Sequence, residues 1–404
     1  AISTTGADPS SKSSRSISAS GGGSSPSPMM KRRDSLKRMR RPKRQSSNHW
    51  SSSFDHRPNE RLVKDLGAVQ HVSPFGVTPG RLILTNMSVY FQPTPAAIIA
   101  ALGASEAANS PDGTASDGGI GGHKQFKECG QTRLTDDVRW ELDTLVEIFG
   151  RRYLLRNCAL ELLFADSQSI FLVFKDEVKR KLFLKELKTQ KHHMPLFSWD
   201  PIPKSLKLIP KNMFKASQYH ELWQHRRISN FEYLMRLNML AGRSLNDIDQ
   251  YPVMPWVLSD YTSEELDLTD ERVFRDLSKP VGALNEKRLA EKREMFDSWD
   301  DPYNPIPFMY GSHYSNAGIV VHFLIRQEPF TSLAVNFQGG HFDCPDRLFI
   351  SMQAAWHACN TNSLDFKELI PELFYDPDVF VNSNNFPLGN LQDGTPVGDV
   401  KLPP

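Results

Sequence analysis

Apolar and polar residues first alternate clearly within residues 61–93. Leu82 and Leu84, then Val89 and Phe91, stand two positions apart on either side of a Thr-Asn pair. A period of two is typical of strands with one buried face, and Thr-Asn suits the turn between them. The pattern therefore predicts an antiparallel hairpin.

Further strands are predicted within residues 137–175. They follow a stretch of Ala, Gly, Ser and Asp at 94–132 that predicts a long insertion. We expect a turn at GRRY, which contains Arg151 and Arg152, and then the strands ALELLF and IFLVF joined by a DSQS turn.

A charged helix is predicted to close this unit, with Val178, Leu182 and Leu187 on its apolar side. Several antiparallel strands followed by one helix is the order of a pleckstrin-homology (PH) domain, which other small barrels share. The pattern predicts a PH-like antiparallel β-sandwich with a C-terminal helix at residues 61–192, followed by a proline-rich linker at 193–216.

The clearest helical period lies in ISNFEYLMRLNMLAGR. Ser229 and Glu232 have the spacing of a capping box, and apolar residues recur at helical intervals after them. Gly242 is suited to end this helix.

The stretch NDIDQYPVMPWVLSDY (246–261) has neither helical nor strand periodicity. Pro252 and Pro255 exclude an α-helix, yet the segment is too apolar for a surface loop. We therefore expect a buried, extended and irregular core segment whose backbone groups bond to side chains. The nearby candidates for those bonds are Asn246, Asp247, Asp249 and Gln250.

Charge is distributed unevenly along the chain, although the formal total is only +1. Residues 1–60 carry 12 Lys/Arg against 4 Asp/Glu, a net charge of +8, whereas the remainder is net −7. The Ser-rich, aliphatic-poor composition of residues 1–60 predicts a disordered basic tail.

The basic tail could be a solvated linker, could make weak contact with anionic lipid, or could serve nuclear targeting or nucleic-acid contact. The acidic remainder disfavours nucleic-acid binding by the folded part. The tail residues expected to contact lipid are Lys31, Arg32, Arg33, Lys37, Arg38, Arg40, Arg41, Lys43 and Arg44.

The cysteines and the hydropathy of the chain indicate in which cell compartment it lies. Four cysteines without CxxC spacing suit a reducing environment, so cytoplasmic location is expected. No run approaches the roughly 18 apolar residues needed to span a bilayer, so we expect any membrane contact to be peripheral.

The densest group of potentially reactive residues is GGHFDCPDR, with His341, Asp343, Cys344 and Asp346. Zinc sites ordinarily show paired ligands, and a catalytic cysteine needs a neighbouring cation, which this cysteine lacks in sequence. The favoured interpretation is a Gly-Gly turn followed by a helix that begins near Asp343. We therefore predict no catalytic residue, metal or cofactor.

Five blocks in the C-terminal half resemble the BEACH domain. They are WQHRRISNFEYLMRLNMLAGRSLNDIDQYPVMPWVLSDY, LDLTDERVFRDLSKPVGAL, YGSHYSNAG, EPFTSLAVNFQGGHFDCPDRLF and KELIPELFYDPDVFVNSNNFPLG. The resemblance covers residues 217–404. Within the family, LILTNMSVYFQP and LGNLQDGTPVGDVKLPP look most like the subgroup of the factor associated with neutral sphingomyelinase activation.

This resemblance implies an α+β protein, with a PH-like domain packed against a mostly helical BEACH domain that contains irregular extended core segments. It also implies a BEACH domain that continues beyond LPP and is followed by WD repeats, so we expect the chain to be a piece of a longer protein. Family members are non-enzymatic scaffolds in vesicle trafficking, lysosome biogenesis, autophagy or receptor signalling.

We expect protein partners to bind in a groove shared by the two domains. Two alternatives remain: a phosphoinositide-reading module that uses Arg151 and Arg152 with Lys175 and Lys179, and a Cys/His-dependent hydrolase. The residues expected to bind partners are Arg151, Arg152, Asn230, Tyr233, Asn246, Asp247 and Trp256.

Overall fold

The computed structural model describes residues 59–99, 137–165, 168–190, 198–199 and 218–404. The predictions for the basic tail, and for most of the insertion and the linker, lie outside these residues.

One curled sheet is built from the N-terminal half of the described chain. Its strands run in the order β4-β3-β2-β1-β7-β6-β5-β8, and all neighbours are antiparallel except β5 and β8. The strands are β1 (Leu62–Ser73), β2 (Gly76–Thr85), β3 (Ser88–Pro93), β4 (Val138–Glu141), β5 (Leu145–Tyr153), β6 (Arg156–Phe164), β7 (Ser169–Phe174) and β8 (Ser198–Trp199).

The hairpin predicted from alternation is confirmed as β2–β3. Leu82 pairs with Phe91 and Leu84 pairs with Val89, and all four side chains are buried in the core of the sheet. The register is fixed because a slip of one residue would turn these four side chains out of that core.

Helix α1 (Glu177–Gln190) packs on the sheet with a face that matches the predicted one only in part. Phe183 and Leu187 are buried, and Phe183 lies 5.5 Å from Phe174 between ring centroids. Val178 is instead 76% exposed. The prediction was confirmed for Leu187 and wrong for Val178, and it omitted Phe183.

The turn predicted at GRRY lies three residues later. Strand β5 continues through Arg151 and Arg152 to Tyr153, which pairs with Arg156. The turn residues are Leu154 and Leu155.

The C-terminal half combines short helices with long irregular segments. Its α-helices are α2 (Tyr219–Gln224), α3 (Asn230–Leu240), α4 (Glu286–Asp297), α5 (Ala317–Phe323), α6 (Phe330–Phe337) and α7 (Met352–Thr361). Single 3-10 turns occur at Ile248–Gln250, Glu271–Val273, Val281–Ala283, Pro345–Arg347, Pro371–Phe374 and Pro377–Phe380.

The α+β class is confirmed, but the description of the second domain as mostly helical is wrong, because helices cover a minority of residues 218–404. The run SEELDLTDERVF illustrates the reason. Its aspartates accept bonds from nearby backbone N–H groups, as Asp267 does from Thr269, and so stabilise successive turns in place of a helix.

The predicted cap of α3 is confirmed. The Ser229 side chain accepts a hydrogen bond from the Glu232 N–H at 3.1 Å. The helix ends before Gly242, whose φ of 92° suits glycine, and the Arg243 N–H donates to the Asn238 carbonyl.

The double-proline segment is buried and irregular, as predicted. Met254 exchanges two backbone hydrogen bonds of 2.8 Å with Leu369, and Trp256 is fully buried in the largest apolar core. The Trp256 N–H donates to a carboxylate oxygen of Glu368 at 3.0 Å, and its indole N–H donates to the Lys367 carbonyl at 2.9 Å.

Asp247 and Gln250 bond to the Asp249 backbone at the start of this segment, as expected, but the partner of its apolar part was not predicted. The Asn238 side chain accepts from the Val253 N–H and donates to the Val253 carbonyl, both at 2.8 Å. Asn246 instead contacts the sheet, and Asp247 caps the 3-10 turn that follows it.

Candidate interaction site at the junction of sheet and helical domain

A buried ion pair lies at the centre of the junction, which we define as the contacts of β5, β6 and β7 with residues 219–246. Arg151 on β5 is 2% exposed and bonds through Nε to the Glu161 carboxylate on β6 at 2.7 Å. The same guanidinium donates to the Met239 carbonyl at 2.7 Å, near the end of α3. One arginine therefore neutralises a buried carboxylate in the sheet and bonds to the end of a helix in the other domain.

Residues that follow α3 complete this network. Ser244 Oγ donates to Glu161 Oε1 at 2.6 Å, and Asn246 Nδ2 lies 3.2 Å from the same oxygen. Asn246 Nδ2 also contacts Ser169 Oγ at 2.8 Å on β7. Glu161 thus accepts hydrogen bonds from both domains, and a buried carboxylate needs such partners to stay charged.

A second ion pair crosses the junction nearer its edge. Arg236 on α3 donates to both carboxylate oxygens of Glu147 on β5, at 3.0 and 3.2 Å, and stacks over the Tyr219 ring at 5.3 Å. Burial, the largest single influence, lowers the pKa of Arg236, but Glu147, Tyr219 and Glu232 outweigh it and raise the pKa overall. The cation is therefore held charged between the domains.

An aromatic surface lies beside this ion pair and comprises His220, Trp223, Asn230 and Tyr233. The rings of Trp223 and Tyr233 stack with centroids 4.8 Å apart and planes 10° apart. The Trp223 indole N–H donates to Asn230 Oδ1 at 2.7 Å, and His220 Nδ1 lies 3.1 Å from the Tyr233 hydroxyl. These contacts hold large, partly exposed rings in fixed positions, and Trp and Tyr are enriched among the residues that dominate protein interfaces.

The residues predicted to bind partners fall into separate places. Asn230 and Tyr233 lie on the aromatic surface, Arg151, Asn246 and the buried Asp247 lie in or next to the junction, Arg152 is exposed on β5, and Trp256 is in the core. The predicted set missed Glu147, Glu161, Arg236 and Ser244. No local signal marked them, because each acquires its role only when α3 contacts the sheet.

The region of the proposed reactive group is a Gly-Gly turn, with Gly339 and Gly340 at φ of 74° and 101°. It is followed by the 3-10 turn Pro345–Arg347, so the helix expected near Asp343 is a single turn that starts two residues later. Among the residues that the structure describes, no three His, Cys, Asp or Glu side chains are placed to hold a metal ion.

A groove of about 690 Å³ is lined by Tyr261, Trp356, His357 and Lys401, among others. It contains none of the residues predicted to bind partners. Within the described parts of the chain, no helix combines the length and apolar composition that crossing a bilayer requires.

The fold and junction define a two-part protein in which a PH-like sheet is joined to a domain of short helices and irregular segments. Residues 69–188 match the family model "PH domain associated with Beige/BEACH", and residues 221–404 match the model "Beige/BEACH domain". The chain is a BEACH-domain protein in which a PH domain of the BEACH-associated type precedes the BEACH domain.

Curated relatives include putative neurobeachin homologues of Caenorhabditis elegans and Caenorhabditis briggsae. Each is 39% identical over 363 residues, which is 88% of this chain and 13% of the relative. The chain thus spans a small part of their length. The predicted subgroup of the factor associated with neutral sphingomyelinase activation is not confirmed by these relatives.

Similar solved structures include the C-terminal domain of an unknown protein from Leishmania infantum, at 13% identity and a TM-score of 0.21, covering 32% of this chain and 85% of that one. The DH/PH domains of p115-RhoGEF match at 15% identity and the same TM-score, covering 37% of this chain and 36% of that one. A TM-score this low carries no argument about fold or function.

Proposed function

We propose that this chain is a non-enzymatic scaffold in membrane trafficking, in which the PH and BEACH domains act as one rigid unit and the aromatic surface beside their junction holds a segment of a protein partner. The observation that carries the proposal is the buried charge network of Arg151 and Glu161. Both charges lie in the sheet, and Met239, Ser244 and Asn246 of the other domain bond to them. A hydrogen bond to a charged group contributes about 1.5–3 kcal/mol, so separating the domains, which breaks these bonds, is strongly disfavoured.

The proposal includes cytoplasmic location with peripheral membrane association, and service in lysosomal, autophagic or receptor-signalling pathways. The domain pairing and the neurobeachin homologues support a trafficking role. Membership of the neutral-sphingomyelinase-factor subgroup and the presence of WD repeats in the whole protein remain predictions.

The two alternative functions have less support. A phosphoinositide site built on Arg151 would require a guanidinium that already bonds to Glu161 and Met239. A Cys/His hydrolase built on Cys344 would require an imidazole at its thiol, whereas the thiol lies 3.9 Å from the Asp346 carboxylate and His341 Nδ1 lies 2.9 Å from the Phe342 carbonyl. Neither site is therefore part of the proposal.

The partner-holding surface is tested with the full chain immobilised and exposed to cytosolic proteins. Tyr233→Ala removes the ring that stacks on Trp223 and should abolish capture of the partners that the wild-type chain retains. Tyr303→Ala is the matched control, because Tyr303 is exposed and lies outside the aromatic surface. Identical sets of captured proteins for all three chains would contradict this surface.

The rigid-unit part is tested by hydrogen exchange. Arg236→Ala removes the edge ion pair and should speed exchange of amides in both α3 and β5, while Arg272→Ala removes an exposed pair with Asp270 and should leave both unchanged. Faster exchange in α3 alone would show that the domains move independently.

A further inference from the structure

The turn between β5 and β6 has two leucines at positions where hairpins favour Asn-Gly. Tyr153 pairs with Arg156 across it, and Leu154 and Leu155 have φ of 46° and 65°. Positive φ at both central residues is the geometry of a type I′ turn. Residues with a Cβ are crowded in this region, and a bulky residue there is uncommon.

The two leucines gain little from the fold in return. Their side chains are 62% and 91% exposed, so neither contributes much apolar burial. A sequence optimised only for this hairpin would place polar or glycine residues at its apex. Backbone strain combined with exposed apolar side chains points to a use outside the folded chain.

Cationic side chains flank this apex. Arg152 and Arg156 are both exposed, one on each strand beside the turn. Tyr153 lies at the base of the turn. Burial is the largest cause of its raised pKa, the carboxylates of Asp247 and Asp249 raise the pKa further, and Arg156 lowers it.

We propose that the apex formed by Leu154 and Leu155 inserts into the headgroup region of an anionic bilayer, with Arg152 and Arg156 contacting lipid phosphates. A bilayer accepts a protruding pair of apolar side chains whatever its shape, and arginine keeps its charge at the surface while its stem lies deeper. A stable protein interface buries about 800 Å² on each partner, which a two-residue apex does not provide.

The test uses the full chain and vesicles of phosphatidylcholine with or without phosphatidylserine, in a sedimentation assay. Leu154→Asn/Leu155→Gly gives the turn its preferred residues, so it should fold at least as well as wild type while losing both inserting side chains. The control is Tyr303→Ser/Ile306→Ser, which removes two large exposed side chains elsewhere, 91% and 80% exposed. The basic tail is the same in every variant, and its contribution is screened at about 0.5 M salt.

We expect the turn variant to bind phosphatidylserine vesicles at least about tenfold more weakly than wild type, a difference that persists at high salt, while the control variant binds normally. The added indole of Leu155→Trp should be quenched by lipids brominated on their acyl chains, and that of Ile306→Trp should not. Unchanged sedimentation of the turn variant, or an unquenched indole in Leu155→Trp, would overturn the proposal. Loss of a protein partner with unchanged vesicle binding would also overturn it, by assigning the apex to a protein. The inference supplies the membrane contact of the proposed function, and none of these outcomes depends on the aromatic surface, so its failure would leave the partner-holding part of that function standing.

Discussion

Replacing Asp247 with asparagine should stabilise the protein at neutral pH. Asp247 is buried beside the junction, and its Oδ1 accepts the Asp249 N–H at 3.1 Å as the cap of a 3-10 turn. Burial, with repulsion from Asp249 and Glu161, raises its pKa from 3.8 to about 6 against the opposing effect of backbone N–H donors. An asparagine oxygen can accept the same capping bond without a charge.

The magnitude follows from linkage. A rise of about two pH units in the folded state corresponds to a cost of about 3 kcal/mol for keeping this carboxylate ionised. Because Asn replaces a charge-assisted cap with a neutral one, the expected net gain is about 1–3 kcal/mol. The cost applies in full above the folded pKa, decreases as pH falls through 6, and disappears below 3.8, where the carboxyl is protonated in both states.

The assay is urea unfolding of wild type and Asp247→Asn at pH 8, 6 and 4, comparing the difference in unfolding free energy at each pH. That difference should be largest at pH 8 and nearly absent at pH 4. Asp393→Asn is the control, because Asp393 caps an exposed turn and its backbone bond to Thr395 lowers its pKa, so it should give no gain at pH 8. A gain that is equal at pH 8 and pH 4, or a loss at pH 8, would refute the reasoning.

Three further predictions are also measured by urea unfolding. Gly80→Ala places a Cβ 2.4 Å from Cζ of the Phe91 ring and should cost about 1–3 kcal/mol; no loss would mean that the ring moves freely. Asn238→Ala removes both bonds to the Val253 backbone and should cost about 2 kcal/mol, whereas an effect near zero would mean that another group replaces the side chain. Burial, reinforced by nearby cations, lowers the pKa of His322 to about 3. Below pH 6.5 the unfolded state therefore binds a proton that the folded state does not, and the free energy of unfolding should fall by up to about 1.4 kcal/mol for each pH unit. His322→Asn should make that slope shallower, and an unchanged slope would contradict the assignment.

Three features that depend on neighbouring residues were predicted correctly from the sequence. The β2–β3 hairpin follows from the alternation of Leu82 and Leu84, and the start of α3 follows from Ser229 because its cap lies three residues from its partner. The buried state of Trp256 followed from the apolar content around two prolines.

Hydrogen-bond partners that lie far away in the chain could not be predicted from the sequence. Trp256 donates to Glu368, 112 residues later, and Arg151 to the Met239 carbonyl, 88 residues later. The spacing of residues along the chain does not show which of them meet over such separations. The turn at Leu154 and Leu155 was misplaced for a different reason: neither residue favours the positive φ that it adopts.

The centre of the junction is polar, although a well-packed apolar contact would stabilise the fold at least as much. Replacing a buried ion pair by well-packed apolar residues is often neutral or stabilising, so the Arg151–Glu161 pair is not explained by stability alone. Hydrogen bonds are directional, and this carboxylate accepts from Arg151, Ser244 and Asn246 at once, which fixes one orientation of α3 against the sheet. An apolar face would allow the domains to slide. The proposed scaffold function needs one fixed orientation of the two domains, and the bonds of Ser244 and Asn246 to the buried Glu161 favour it.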